Sequence, residues 1–206
     1  MKKKNIIGID LAFRNTGMAH MSLSDCGEIE YVDGSVFKTK PMDYESGLKY
    51  VPEIKLIQKA INDFVADHTE GGGLVFVEVP YAGRTNVECV MVGACKAIFS
   101  NISAPNVLVK HVTPTQVKKA SGFRTKEDIT NKAKELYPNA TWTTKSTNEH
   151  LADAIFAAIA GTINYKELIE NERRTESGST QRSNGRKRKI QRRSRKTKRP
   201  TKRLDP

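Results

Sequence analysis

Two short apolar runs in this chain each end on a carboxylate: Ile6-Ile7-Gly8-Ile9-Asp10 and Leu74-Val75-Phe76-Val77-Glu78. Runs of this length and composition read as buried strands. A carboxylate in such a place is costly unless it is paired or bound to a metal. If the two strands lie side by side in one sheet, Asp10 and Glu78 project into one cleft.

The rest of the pattern fits a sheet with covering helices. Residues 17–23 and 28–37 read as further strands, with Asp25-Cys26-Gly27 as the turn between them. Over residues 48–67, Val51, Ile54, Ile57, Ile61, Phe64 and Val65 fall on one helical stripe. Gly71-Gly72-Gly73 breaks the chain before the second acid-ended strand. Residues 86–100 suit a helix and residues 107–109 a strand. Thr113-Pro114-Thr115-Gln116 supplies an N-cap, a first-turn proline and a glutamine at the third position. Thr125 with Asp128 starts another helix, and Ser146 with Glu149 a third that runs to about Gly161. A meander followed by alternating strands and helices indicates an α/β domain built on a mixed sheet.

Charge divides the chain unevenly. Residues 173–206 hold 15 of the 35 basic residues and 2 of the 23 acidic ones, a net +13. The first 172 residues therefore carry a net −1. In the last 34 residues Ile190 and Leu204 are the apolar side chains, too few to bury a core. The expected organisation is a folded domain over 1–172 and a disordered Lys/Arg-rich tail over 173–206. A near-neutral body argues against a uniformly basic DNA-wrapping protein. No apolar run approaches the ~20 residues of a membrane span. The basic start at Met1-Lys2-Lys3-Lys4 meets Asp10 and Arg14 too soon for a secretory signal. Cys26, Cys89 and Cys95 are scattered and lack metal-ligand spacing, which fits a reducing intracellular setting.

A third element bears on the two acids. His150 and Asp153 are three residues apart and share a helix face. Ala154, Ala157, Ala158, Ala160 and Gly161 are small and would let this helix lie close against the sheet. That approach would bring His150 and Asp153 toward Asp10 and Glu78. Carboxylates with one imidazole and no thiolate suit hard divalent cations such as Mg²⁺ or Mn²⁺. Two such ions about 4 Å apart would clamp a phosphodiester for in-line attack by water. Taken singly, an acid at a strand end can be a turn former, and a helical His is commonly structural. Glu149 is explained as the capping partner of Ser146 and stays outside the set.

These residues resemble a known family. Gly8-Ile9-Asp10, Arg14 and Thr16-Gly17 look like the first motif of the RuvC Holliday-junction resolvases, within the RNase H-like (retroviral integrase) superfamily. Glu78 followed by Tyr81 resembles the second motif, and Gly93-Ala94 the small-residue turn after it. Residues 113–119 with Gly122 and Lys126 are similar to the family's Pro-x-x-Val-Lys, Gly and Lys stretch. His150-x-x-Asp153-Ala154 resembles the final motif. The motifs run in order across residues 6–161. Leu11-Ala12 stands where the family usually has Pro-Gly, which marks a divergent member, phage-encoded or organellar. The resemblance implies an RNase H-like five-stranded mixed sheet flanked by helices, and a homodimer. Each subunit would cut one strand of a four-way junction with two Mg²⁺ ions, for which Mn²⁺ would substitute. Asp10 would bridge the metals, Glu78 would complete one coordination sphere, and His150 with Asp153 the other. The expected location is the cytoplasm of a bacterial or phage-infected cell, with no membrane partner.

DNA contacts are expected at Tyr81, which can stack on an unpaired base, and at Arg14 and Arg84, which follow the two acid-ended strands. Lys118, Lys119 and Lys126 lie at or beside helix starts and can meet phosphates. In the tail, Arg186, Lys187, Arg188, Lys189, Arg192 and Arg193 form an electrostatic handle for nucleic acid or, alternatively, a nuclear-type targeting signal. Alternative readings of the whole chain are a RuvC-like nuclease of broader branched-DNA specificity, or a non-catalytic branched nucleic-acid-binding protein on the same fold. Gly8-Ile9-Asp10 with Thr16-Gly17 also resembles the phosphate-binding hairpin of actin-like phosphotransferases, whose two lobes this body is too short to hold.

Overall fold

A computed structural model describes residues 3–40, 50–70, 72–81, 83 and 85–166. The chain divides into two units, Met1–Ile163 and Asn164–Pro206. The expected 172/173 boundary and the basic tail lie outside the described residues.

Five strands among the described residues form one mixed sheet. They are β1 (Lys4–Asp10), β2 (Asn15–Leu23), β3 (Ile29–Lys38), β4 (Gly73–Glu78) and β5 (Val107–Val112), in the spatial order β3-β2-β1-β4-β5. The meander β1-β2-β3 is antiparallel, and β1, β4 and β5 run parallel. The β2–β3 turn closes at Gly27, whose φ of 94° lies in the left-handed region. β5 is three residues longer than its apolar stretch predicts. It is an edge strand, so Lys110 and His111 stay exposed within it and hide its length from a hydrophobic reading.

The parallel half needs crossovers, and helices supply them. α1 (Val51–His68) precedes β4, and α2 (Asn86–Ser100) joins β4 to β5. α1 turns Ile57, Ile61, Phe64 and Val65 inward, as its periodicity predicts. These pack with Ile98 and Cys95 of α2 against Ile7, Ile9, Val75 and Val77. α3 (Pro114–Ser121) and α4 (Lys126–Leu136) follow. Thr113 and Gln116 form the predicted reciprocal capping box, and Thr125 caps α4 through the Asp128 N–H.

The last described helix, α5, covers residues 145–166. The sequence places its start at a Ser146/Glu149 box, and the structure corrects this. Thr144 comes first: the Asn148 N–H donates to its carbonyl at 2.9 Å and the Thr147 N–H reaches its hydroxyl at 3.5 Å. Asn148 Oδ1 in turn accepts from the Thr143 N–H at 2.7 Å. Glu149 then lies inside the helix, beside Lys134 and Lys145 in a polar recess.

α5 covers the sheet face opposite α1 and α2. Two glycines permit the close approach. A Cβ on Gly8 would collide with the Ala154 carbonyl and the Ala158 side chain, and one on Gly17 with the His150 carbonyl. From the helix side, Gly161 meets the Phe76 ring at a distance that excludes a Cβ. The stripe Ala154, Ala157, Ala158 and Ala160 is buried, as its small side chains predict. Among the described residues no helix is long and apolar enough to cross a membrane.

Candidate active site

Sheet register decides the first pair. Asp10 and Glu78 are direct partners at the C-terminal ends of the parallel strands β1 and β4. Both therefore point to the same face, the one that Gly8 and Phe76 share with α5. The Leu11 N–H donates to the Glu78 carbonyl at 2.9 Å and carries the pairing one residue further.

α5 brings the second pair. His150 Nδ1 donates to Asp10 Oδ2 at 2.7 Å. Asp153, one turn along the helix, accepts from the Lys126 ammonium at the start of α4. Asp10 and Asp153 are buried. The structure thus gathers Asp10, Glu78, His150 and Asp153 at one end of the sheet, and adds Lys126 to them.

Electrostatics show how crowded this place is. Burial, then the Asp10 and Asp153 charges, push the Glu78 carboxyl up to about 8, while Lys126 and Lys118 partly offset the shift. Asp153 is raised by burial and by Asp10, against the pull of Lys126 and His150. Burial disfavours the Lys126 cation, yet Asp153, Asp10 and Glu78 together raise its pKa above the usual lysine value. Burial and the charge of Asp10 raise the Cys95 thiol, behind the site on α2, to about 11. It stays protonated at neutral pH.

Three carboxylates here share too little positive charge. A divalent cation would supply it, and the residues fit one. Glu78 Oε2 is buried and has no hydrogen-bond partner among the described residues. An orphaned acceptor of this kind needs an explanation, and an ion is one. Oxygen donors with a single imidazole are the donor set of Mg²⁺ or Mn²⁺. With the side chains as they lie, Lys126 and His150 engage the carboxylates, and no group of three His, Cys, Asp or Glu among the described residues encloses an ion.

The expected DNA-contacting residues fall in several places. Tyr81, three residues beyond Glu78, is 77 % exposed. Lys118 and Lys119 are exposed on α3. Lys126 is committed to Asp153. Arg14 Nη1 pairs with the buried Glu53 of α1 at 3.2 Å, and its guanidinium lies 5.2 Å from the Phe13 ring centroid. Arg14 thereby neutralises an acid buried within the apolar stripe of α1. Arg84 lies outside the described residues, as do Arg186, Lys187, Arg188, Lys189, Arg192 and Arg193.

Sequence reasoning missed the bond between Lys126 and Asp153. A lysine at the first position of a helix normally reads as solvated, and no local pattern separates this one from Lys118 or Lys119. It also missed Glu53, whose burial depends on an arginine 39 residues away.

No protein-family model matches the sequence, and no curated protein is significantly similar to it. Solved structures do match. RuvC of Thermus thermophilus, in complex with a Holliday junction substrate, is 20 % identical with a TM-score of 0.56; the match covers 76 % of this chain and 91 % of that one. The yeast mitochondrial Holliday junction resolvase Ydc2 is 10 % identical with a TM-score of 0.54, over 77 % of this chain and 78 % of that one. This chain has a RuvC-type fold. On that fold Asp10, Glu78, His150 and Asp153 come from β1, β4 and α5, the elements that carry the motifs resembling the family's.

Proposed function

We propose that this protein is a metal-dependent, structure-selective DNA endonuclease that resolves four-way junctions by paired phosphodiester hydrolysis. One observation carries the reading. Two carboxylates in register on parallel strands meet a His and an Asp from a helix packed at glycine distance, on a RuvC-type fold. The Holliday junction bound by the similar Thermus thermophilus RuvC supports branched DNA as the substrate class.

Asp10, Glu78, His150 and Asp153 would hold two divalent ions. Such ions polarise a phosphodiester, lower the pKa of a nucleophilic water and neutralise the leaving oxygen. The chain's own groups do the rest. His150 holds Asp10 in one rotamer through its Nδ1 bond. Lys126 and Lys118 add positive charge beside Glu78 where phosphate would enter. Tyr81 offers an exposed ring for stacking at the branch point. A homodimer would present two such sites, one for each cut strand.

The direct test incubates purified protein with a labelled four-way junction, a flap, a fork and a linear duplex, in Mg²⁺ and in EDTA. Paired, symmetric cuts in the junction alone, lost in EDTA, are the expected result. Cuts in every branched substrate would replace the resolvase by a general branch nuclease, which the nonspecific charge of the tail suits. Binding without cleavage in Mg²⁺ or Mn²⁺ would reduce the protein to a binding module.

Two smaller effects should accompany that result. Deleting 173–206 should weaken junction binding and flatten its salt dependence while cutting persists at low salt. If about six tail charges meet phosphates, the slope of log affinity on log salt should lose about 5; an unchanged slope would remove the tail from the interface. Tyr81→Ala should slow cutting of intact junctions more than nicked ones, because a nick already frees the bases. Equal slowing of both would rule out stacking.

A further inference from the structure

Lys126 stands on a fixed root. It opens α4, and Thr125 before it caps that helix by accepting from the Asp128 N–H at 3.2 Å. Just upstream, α3 ends on Gly122, left-handed at φ 79°, with its N–H on the Lys118 carbonyl. Between the two caps the Phe123 N–H donates to the buried Ser121 hydroxyl at 3.2 Å. The backbone that carries the lysine is therefore held from both sides. Its ammonium donates to Asp153 Oδ2. The two partners sit in different surroundings: the Asp153 side chain is 4 % exposed and that of Lys126 56 %. The fold encloses the carboxylate, whereas the lysine reaches it from solvent and can leave by the same path.

The two cationic side chains at the centre differ in what they can do when a metal arrives. His150, once it gives up its bond to Asp10, can turn a nitrogen lone pair toward an ion. An ammonium has three donors and no lone pair, so Lys126 can only compete. Two cations on one enclosed carboxylate repel strongly, because little water screens them. Lys126 and a divalent ion therefore exclude each other at Asp153. The other side of the centre is different. Glu78 Oε2 is buried and has no hydrogen-bond partner among the described residues. A counter-charge is thus built in at Asp153 and lacking at Glu78, and the two sides should load unequally.

We propose that Lys126 is a built-in counter-ion that keeps the Asp153 side of the centre closed to metal until a DNA phosphate draws the ammonium away. The proposal rests on the metal-dependent nuclease reading and deepens it by setting the order of loading. Lysine carries its charge on a flexible four-carbon stem, and phosphate oxygens compete for it on the same terms as a carboxylate. When the ammonium moves to phosphate, Asp153 loses its partner and an ion can take that place. DNA and the second ion then bind cooperatively, each raising the affinity of the other by the same factor. The free protein holds one ion, at Asp10 and Glu78, and the two-ion state is reserved for the bound complex.

The test counts bound Mn²⁺ rather than cut DNA. Full-length native protein, Lys126→Ala and Lys126→Arg are titrated with Mn²⁺, read by the electron paramagnetic resonance of the free ion and by calorimetry. Each titration is run alone and with a four-way junction whose branch-point phosphorothioates keep the backbone charge and slow cutting. The native protein alone should take up one ion per subunit, and a second with the junction present. Lys126→Ala should take up two without DNA, the second about tenfold or more tighter than in the native protein. The junction should then no longer change the count. Lys126→Arg keeps the charge and should behave as the native protein does, which separates guarding from a mere contribution to folding. Unchanged or weaker Mn²⁺ binding by Lys126→Ala, or two ions on the native protein without DNA, would overturn the proposal and leave the nuclease standing. No Mn²⁺ bound by the native protein or by Lys126→Ala, with or without junction, would take down both.

Discussion

Glu78→Gln should abolish cleavage and at the same time stabilise the metal-free protein at pH 8. The two effects have one cause. The Glu78 carboxyl is buried beside Asp10 and Asp153 and titrates at about 8 in the fold, against 4.5 in a free chain. Between those values the unfolded chain has released its proton and the folded one keeps it. Stability therefore falls as pH rises from about 4.5 to 8, and the full penalty of the ionised group is present above 8. Glutamine has nearly the same shape and no charge, so the penalty disappears. In chelator at pH 8 the gain should be on the order of 2–4 kcal/mol, the upper figure being the whole shift from 4.5 to about 8, a rise of roughly 4–16 °C in melting temperature for a body of this size. It should shrink toward zero by pH 5. Cleavage in Mg²⁺ should fall by about 10³-fold or more, since a lost ligand removes several kcal/mol of charge stabilisation in the transition state. Mg²⁺ should raise the melting temperature of the native protein at pH 8 and fail to do so for the variant. Calorimetry with and without EDTA, beside a junction-cutting assay, reads all of these. A structural acid would behave in the opposite way: its loss would lower stability and leave cutting near normal.

That reversal explains why Asp10 and Glu78 are legible in the sequence at all. A charge in an apolar run is a local anomaly, visible without any alignment, because burial makes it expensive wherever the strand ends up. Their pairing across β1 and β4 is a matter of topology, which the sheet register supplies. His150 and Asp153 are legible through their three-residue spacing and through the small residues that follow them. The capping boxes at Thr113 and Thr125 are legible because capping is decided within four residues. What stays hidden depends on partners far away in the chain. Lys126 meets Asp153 across 27 residues and Arg14 meets Glu53 across 39. The start of α5 is ambiguous in sequence because Ser146 and Thr144 both offer a hydroxyl, and the choice falls to the Asn148 bond back to Thr143. The RuvC resemblance supplies what spacing cannot, the order of the motifs along the sheet.

Gly8→Ala should destabilise the protein strongly, and should remove cleavage with it. The added Cβ has nowhere to go. It would fall inside the Ala154 carbonyl and press on the backbone and side chain of Ala158, at the centre of α5. Backbone cannot swing aside as a flexible side chain can, so the helix must lift from β1 as a unit. Overpacking of this kind costs about 3 kcal/mol or more, equivalent to roughly 6–12 °C in melting temperature for a domain of this size. Lifting α5 also carries His150 off Asp10 and Asp153 away from Glu78. A displacement of about 1 Å in a positioned site can cost 10²-fold in rate. Activity should therefore fall even at temperatures where the variant remains folded. Gly93→Ala is the control. Gly93 lies on the exposed side of α2, and a methyl added there would meet nothing within 4 Å, so alanine should stabilise by up to about 1 kcal/mol through helix propensity alone. If Gly8→Ala melted and cut like the native protein, α5 would not sit at glycine distance from β1. Four residues on three elements would then no longer form one site.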